Sequence, residues 1–310
     1  MTTTPGLPPP LQGVRILEFE GIGPGPLAAH MLAVMGADVV TIVRPAPSVV
    51  TERLAGASDN PMRRGKRLET IDLKKEEGVA RALDLVAWAD ALVEGNRPGV
   101  MERLGLGPGD CAVRNPRLVY GRMTGWGQDG PLAHAAGHDL NYVALTGLLS
   151  LSARPGQAPM VPPTVLGDAA GALGLAFGVV CALLDVRRTG RGRVVDAAIV
   201  DVVTMLGSLV RWIHGSGQIG GAEPSPFHDS PFYDVYECAD GRFVTIGAME
   251  PQFYAELLAR LGLDDVDPGG QYDRAAWPGL KARIAALLRS RPRSHWCALL
   301  EGSDVCFAPV

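Results

Sequence analysis

The chain has 310 residues, 47% of them hydrophobic and 20% charged, with five cysteines and a formal net charge of −4. That length supports one large or two moderate domains with substantial cores, and the composition is that of a soluble globular protein. The acidic balance disfavours nucleic acid as a partner, because such a footprint needs a basic excess. The cysteines are scattered without a C-x-x-C pair, which fits neither a disulfide framework nor a zinc site.

Residues 1–10 are rich in Thr and Pro and lack the charged and apolar regions of a signal peptide, so they read as a disordered lead-in. Residues 14–19 read as a strand, followed by the glycine-rich GIGPGP at 21–26 and a helix over 27–35, with Pro26 suited to its start and Gly36 to its stop. A strand at 39–43, a polar loop through Arg67, a helix over 75–89, a strand at 91–94 and another at 118–122 come next. Strands alternating with helices imply right-handed βαβ units, hence a Rossmann-like α/β domain with a parallel sheet.

From Ala169 the chain turns helical, with apolar segments at 169–184 and 195–213 joined by the basic RRTGRGR at 187–193. The first segment falls short of the roughly 20 residues that span a bilayer, and it carries Gly171, Gly174 and Gly178. It reads as a tightly packed buried helix, so no membrane span and a cytoplasmic location are expected. Residues 215–226 look like a linker. Beyond it, strands at 233–237 and 242–246 flank Asp240 and Gly241, a hairpin signal, and helices are expected at 252–261 and 277–288. The expected organisation is a large domain over 11–195, a helical linker over 196–229 and a smaller α+β domain over 230–310.

The GIGPGP turn invites a dinucleotide reading, since glycines let backbone N–H groups approach a pyrophosphate. The third glycine of that fingerprint falls on Pro26, however, and Arg44 rather than an acid ends the second strand. A plain strand-to-helix turn therefore stands beside it. Arg44, at the carboxyl edge of a parallel sheet, can clamp a phosphate monoester such as the 2′-phosphate of NADP or the 3′-phosphate of coenzyme A, or be a solvated loop charge. Cations at 63–67 and 94–103 could join it. His138 lies in GHDLNY at 137–142 and Asp168 in LGDAAG at 166–171. Each fits an acid/base role or a simple helix cap on local pattern. The chain has no G-x-S-x-G elbow and no H-E-x-x-H pair.

In order along the chain stand GIGPGP at 21–26, GADVV at 36–40, RPGVMERLGL at 97–106, MTGWGQ at 123–128, GHDLNY at 137–142, Gly167 with Asp168, and GAMEPQF at 247–253. From about Leu11 to the end, the series resembles the family III CoA-transferase superfamily, and within it the α-methylacyl-CoA racemase branch. The resemblance implies an acyl-CoA thioester bound across the large domain, with Arg44, Arg97 and Arg103 on its phosphates and backbone contacts from Ile71 to Leu73. It also implies ligand contacts at Gly137 and Tyr142, an acid/base pair of His138 and Asp168, and Glu250 hydrogen-bonding the histidine. An interlocked homodimer is expected, one subunit's small domain completing the other's site.

Racemisation next to a thioester removes a proton on one face and returns it on the other, for which two bases on opposite faces suffice. The enolate formed between the steps needs donors at the thioester oxygen, for which the backbone N–H groups near Gly137 and at the helix start by Asp168 are candidates. No metal or redox cofactor is expected, coenzyme A being part of the substrate. Two alternatives stay open: CoA transfer to a carboxylate with Asp168 as nucleophile, and a weakly active CoA-ester binding protein. The chain departs from the pattern at Thr164, where an asparagine is expected, and at AAGA over 169–172. It also stops at FAPV over 307–310, where the family returns to the large domain.

Overall fold

Alternating faces of β-branched and aliphatic residues decide the first architecture. In the computed structural model, which describes residues 6–46, 60–163 and 166–310, the chain divides into two units. Thr164 lies outside the described residues. The first unit comprises Met1–Leu149 with Val161–Gly207. Its strands are β1 (Arg15–Phe19), β2 (Asp38–Val43), β3 (Lys66–Thr70), β4 (Ala91–Glu94), β5 (Val119–Thr124) and β6 (Arg193–Ala198). They form one six-stranded sheet in the order β3-β2-β1-β4-β5-β6, every pair parallel.

Along β1, Ile16 faces one layer and Leu17 the other, and both are fully buried. Helices α1 (Pro24–Val34) and α6 (Asp168–Thr189) cover the face of Ile16, Val39 and Val93. The opposite face, with Leu17, Val40 and Leu92, is covered by α2 (Glu76–Trp88), the short α3 (Val100–Arg103) and α4 (Pro108–Arg114). A parallel sheet buried on both faces accounts for the near-continuous apolar runs in its strands. The strand order reverses between β1 and β4, the place where ligands bind in sheets of this kind.

Two expectations are corrected here. β3 occupies part of the expected polar loop; its sequence, KRLET, has no apolar run, and it forms as an edge strand paired to β2. The segment expected to be helical from 195 begins as β6, because Val194 and Val195 pair with Tyr120 and Gly121 of β5. Only then do α7 (Ile199–Leu206) and α8 (Ser208–Gly215) follow. Helix α6 has 22 residues and, by length and composition alone, is apolar enough to cross a membrane. One side of it, including Ala172, Leu175 and Val179, is buried against the sheet. Gly174 keeps α6 close to α7, since a Cβ there would stand 2.5 Å from the Val202 side chain.

The second unit comprises Ser150–Met160 with Ser208–Val310. Thus residues 150–160 group with the small unit, while the large unit extends to Gly207. Arg154 explains the first point: its guanidinium grips Asp234, which also pairs with Lys281 at 2.6 Å. Strands β7 (Tyr233–Glu237), β8 (Phe243–Gly247) and β9 (Phe307–Pro309) make an antiparallel sheet, with Gly241 at positive φ in the hairpin turn. Helices α9 (Pro251–Arg260), α10 (Trp277–Leu288) and α11 (Arg293–Leu300) pack on it around Phe232, Tyr236, Tyr254, Trp277 and Trp296.

Candidate active site

Two cavities open at the carboxyl ends of the strands of the first unit. One, of about 340 Å³, lies among the turn after β1, the turn after β4, the end of β5, His138, Tyr142 and Asp168. The other, of about 530 Å³, is lined by Arg44, Ile71, Leu73 and Lys74 together with residues at the start of α3. Asn96 lines both.

Asp168 is the first residue of α6, and the residue before it, Gly167, has no side chain to cap the helix. The cap comes from elsewhere. The buried Asp139 accepts the Gly167 and Asp168 N–H groups on its Oδ2, at 2.8 and 2.7 Å. These N–H groups, candidates for the oxyanion donors on sequence grounds, are therefore already engaged. The Asp168 carboxylate itself lies against the β1–α1 turn: a Cβ on Gly23 would stand 2.8 Å from its Oδ2. Gly23 has φ 78° and ψ −124°, a conformation that only glycine adopts without strain. The glycine-rich turn thus makes room for a carboxylate. Burial raises the pKa of Asp168 above its ordinary value, the Asp139 charge raises it further, and His138 opposes them.

His138 is the extended residue preceding α5 (Asp139–Leu145), and its N–H donates to Asn141 Oδ1 at 3.0 Å. Its side chain is exposed toward the cavity. Tyr142, one turn along, donates its hydroxyl to the Gly137 carbonyl and stacks edge-on against Trp126, ring centres 4.6 Å apart. Trp126 is held in turn by a bond from Nε1 to the Ala135 carbonyl at 3.2 Å. The Tyr142 phenol is pushed up by burial and by Asp168, with Arg97 acting the other way.

The turn after β4 is fixed by a buried carboxylate. Glu94 accepts the Asn96 N–H at 2.7 Å and Arg122 Nε at 3.1 Å, and Arg122 reaches on to Glu102 at 2.8 Å. Burial raises the Glu94 pKa against these partners. The clamp sets Arg97 on the rim of the smaller cavity. Neither Arg97 nor Arg44 has a carboxylate partner for its guanidinium among the described residues. Arg103 ends α3, exposed, and lines neither cavity. Glu250 belongs to the second unit, exposed, immediately before α9.

The structure therefore brings His138, Asp168, Gly137, Tyr142 and Arg97 to one cavity and Arg44, Ile71 and Leu73 to its neighbour. Sequence reasoning missed Asp139, Gly23 as the seat of Asp168, and Asn96 between the cavities. For Asp139 a signal existed, namely a helix start whose cap position, Gly167, cannot cap. Among the described residues no cluster of His, Cys, Asp and Glu has the form of a metal site.

A Rossmann-ordered sheet with an imidazole and a half-buried carboxyl at its switch point, beside a cavity edged by Arg44 and Lys74, defines an α/β protein with groups capable of acid/base work at the carboxyl ends of its strands. More narrowly, the chain belongs to CoA-transferase family III, whose model matches residues 11–310. It is 40% identical to the human α-methylacyl-CoA racemase and 39% identical to the mouse one, in each case over 97% of this chain and 77% of the relative. A probable fatty acyl-CoA transferase of Mycobacterium tuberculosis is 32% identical over 96% of this chain and 81% of its own. Among solved structures, a CaiB/BaiF family protein from Brucella suis superposes with a TM-score of 0.81 at 25% identity, covering 97% of this chain and 84% of that one.

Proposed function

We propose that this chain is a racemase that interconverts the two epimers of 2-methylacyl-CoA thioesters. The observation that carries the reading is the meeting of His138 and Asp168 at one cavity, with the carboxyl's proton affinity raised by burial and Asp139. One of the pair removes the proton at C2 while the other, protonated, returns one to the opposite face. Backbone donors of the Gly137 segment stabilise the enolate between the steps. Coenzyme A lies along the larger cavity, its 3′-phosphate on Arg44 and its adenosine against Ile71 and Leu73; Arg97, on the rim of the smaller cavity, takes the diphosphate. No cofactor takes part beyond the coenzyme A of the substrate.

In this reading Glu250 comes from a partner subunit and orients His138. An interlocked homodimer is supported by the outer side of α6, where Leu173, Phe177 and Leu184 form an exposed apolar stripe. The enzyme works in lipid metabolism in the cytoplasm, with α6 as a core and interface helix. A second reading rests on the transferase relative: Asp168 as a nucleophile that carries the acyl group during CoA transfer.

Incubating a single 2-methylacyl-CoA epimer in D₂O separates the two. Epimerisation with deuterium at C2 supports the racemase, and His138→Ala should abolish it while leaving coenzyme A affinity largely intact. Absence of exchange in the unmodified protein, with CoA passing to an added carboxylate, would overturn it in favour of the transferase.

A further inference from the structure

We infer that Asp139 is a positioning residue that fixes the two bases relative to each other and sets the charge environment in which Asp168 exchanges its proton. The inference rests on the racemase reading for its kinetic part only. Asp139 is 5% exposed and places both of its strong bonds on one oxygen, to the Gly167 and Asp168 N–H groups. The first N–H groups of a helix have no partner within it, and a carboxylate is their strongest acceptor. Most helices obtain that acceptor from the residue just before them. Here that residue is Gly167, so the cap crosses from another helix, 28 positions away in sequence.

The crossing matters because of where Asp139 stands. It directly follows His138, which precedes α5, and it grips the backbone of Asp168, which opens α6. One carboxylate thereby joins the starts of the two helices that carry the acid/base pair. The contact is also close on the other side, since a Cβ on Gly167 would stand 2.8 Å from Asp139 Oδ2. Displacing Asp139 moves both bases at once.

Electrostatics follows from the same placement. Asp168 faces Asp139 and the Tyr142 phenol from α5, His138 from the position just before that helix, and backbone at Gly23 from the β1–α1 turn. Arg97, from the turn after β4, acts on Tyr142. Within this set Asp139 is the group that favours a proton on Asp168, and His138 the group that opposes it. A neutral residue of the same shape at 139 should keep the bonds and remove the charge.

The test uses Asp139→Asn, Asp139→Ala and the unmodified protein. In ligand-free samples the Asp168 carboxyl is followed by ¹³C NMR through a pH titration, its signal assigned by its loss in Asp168→Asn. In parallel, C2 deuterium exchange of one 2-methylacyl-CoA epimer gives kcat and KM across pH. Asp139→Asn should make Asp168 titrate at lower pH, move the acid limb of kcat the same way, and keep kcat at its optimum within about tenfold. Asp139→Ala loses the acceptor as well, and its kcat should fall on the order of 100-fold with KM changed less than about threefold. An unmoved Asp168 titration in Asp139→Asn, or an Asp139→Ala kcat within about twofold of the unmodified value, overturns the inference. If Asp139→Ala fails to fold, Asp139→Asn decides alone. If the unmodified protein exchanges no C2 proton while Asp139→Asn still shifts Asp168, the racemase reading falls and the positioning role stands.

Discussion

Replacing Lys66 by Met should destabilise the first unit by about 3–5 kcal/mol near pH 8, the usual cost of leaving one member of a buried ion pair without its partner. The Lys66 and Glu18 side chains are 1% and 2% exposed and meet at 2.7 Å. Lys66 Nζ also donates to the Pro26 carbonyl at 3.0 Å, and Thr41 Oγ1 donates to the same Glu18 oxygen at 2.6 Å. Met fills a similar volume, so the loss comes from the stranded carboxylate rather than from a cavity.

The pH dependence gives the sharper test. Burial already raises the Glu18 pKa above its ordinary value, with the Lys66 charge as the main opposing influence. Without that charge the folded-state pKa rises further. A group raised in the folded state adds stability that is fully present below its unfolded pKa and lost as pH climbs through the folded one. The Lys66→Met deficit should therefore be small near pH 5 and large near pH 8 in urea denaturation. Adding Glu18→Leu should recover much of the loss at pH 8, because an apolar pair replaces an unpaired charge. His30, held low by burial and then by the Lys66 charge, should titrate higher in Lys66→Met. A deficit that is equal at both pH values, or that Glu18→Leu deepens additively, would refute the reasoning.

Gly23→Ala should cost about 1–3 kcal/mol for a φ of 78° and, by pressing on the Asp168 carboxylate, reduce C2 exchange more than tenfold. Calorimetric binding of coenzyme A should be little changed, and an unaltered kcat would mean that the turn does not seat Asp168. Arg44→Ala should weaken coenzyme A about tenfold while leaving 3′-dephospho-coenzyme A unaffected, the loss of a charge-assisted bond to one phosphate. Equal losses for both ligands would move the 3′-phosphate away from Arg44.

Four of the six sheet strands are readable from sequence because they are buried on both faces and most of their side chains are therefore apolar, as in ILEF and VVTIV around the buried Glu18 and Thr41. β3 is not, because it is an edge strand whose inward residue is Lys66, and a lysine in a strand reads as solvent until its partner Glu18 is seen. β6 is hidden by its continuity with α7: the run from Val194 to Val203 is apolar apart from Asp196 and Asp201, and only pairing with β5 tells where strand becomes helix. In the site, His138 and Asp168 were ambiguous singly and emerged through an ordered series of motifs. Asp139 stands in the same motif, but the sign of its role is the capless helix start at Gly167, 28 residues away, and no spacing within the motif marks it.

That cap also reverses an inference drawn from position alone. A carboxylate at a helix start is ordinarily stabilised in its charged form by the unpaired N–H groups and the dipole. Asp168 opens a 22-residue helix, yet its pKa is raised, first by burial and then by the Asp139 charge fixed beside it, while the first N–H groups are already bonded to Asp139. The dipole thus stabilises the capping carboxylate and leaves the cavity-facing one readier to hold a proton. For a nucleophile that must stay ionised this arrangement is a handicap. For a group that must take up and return a proton in every turnover it is an asset, and this favours two-base exchange over carboxylate attack at this site.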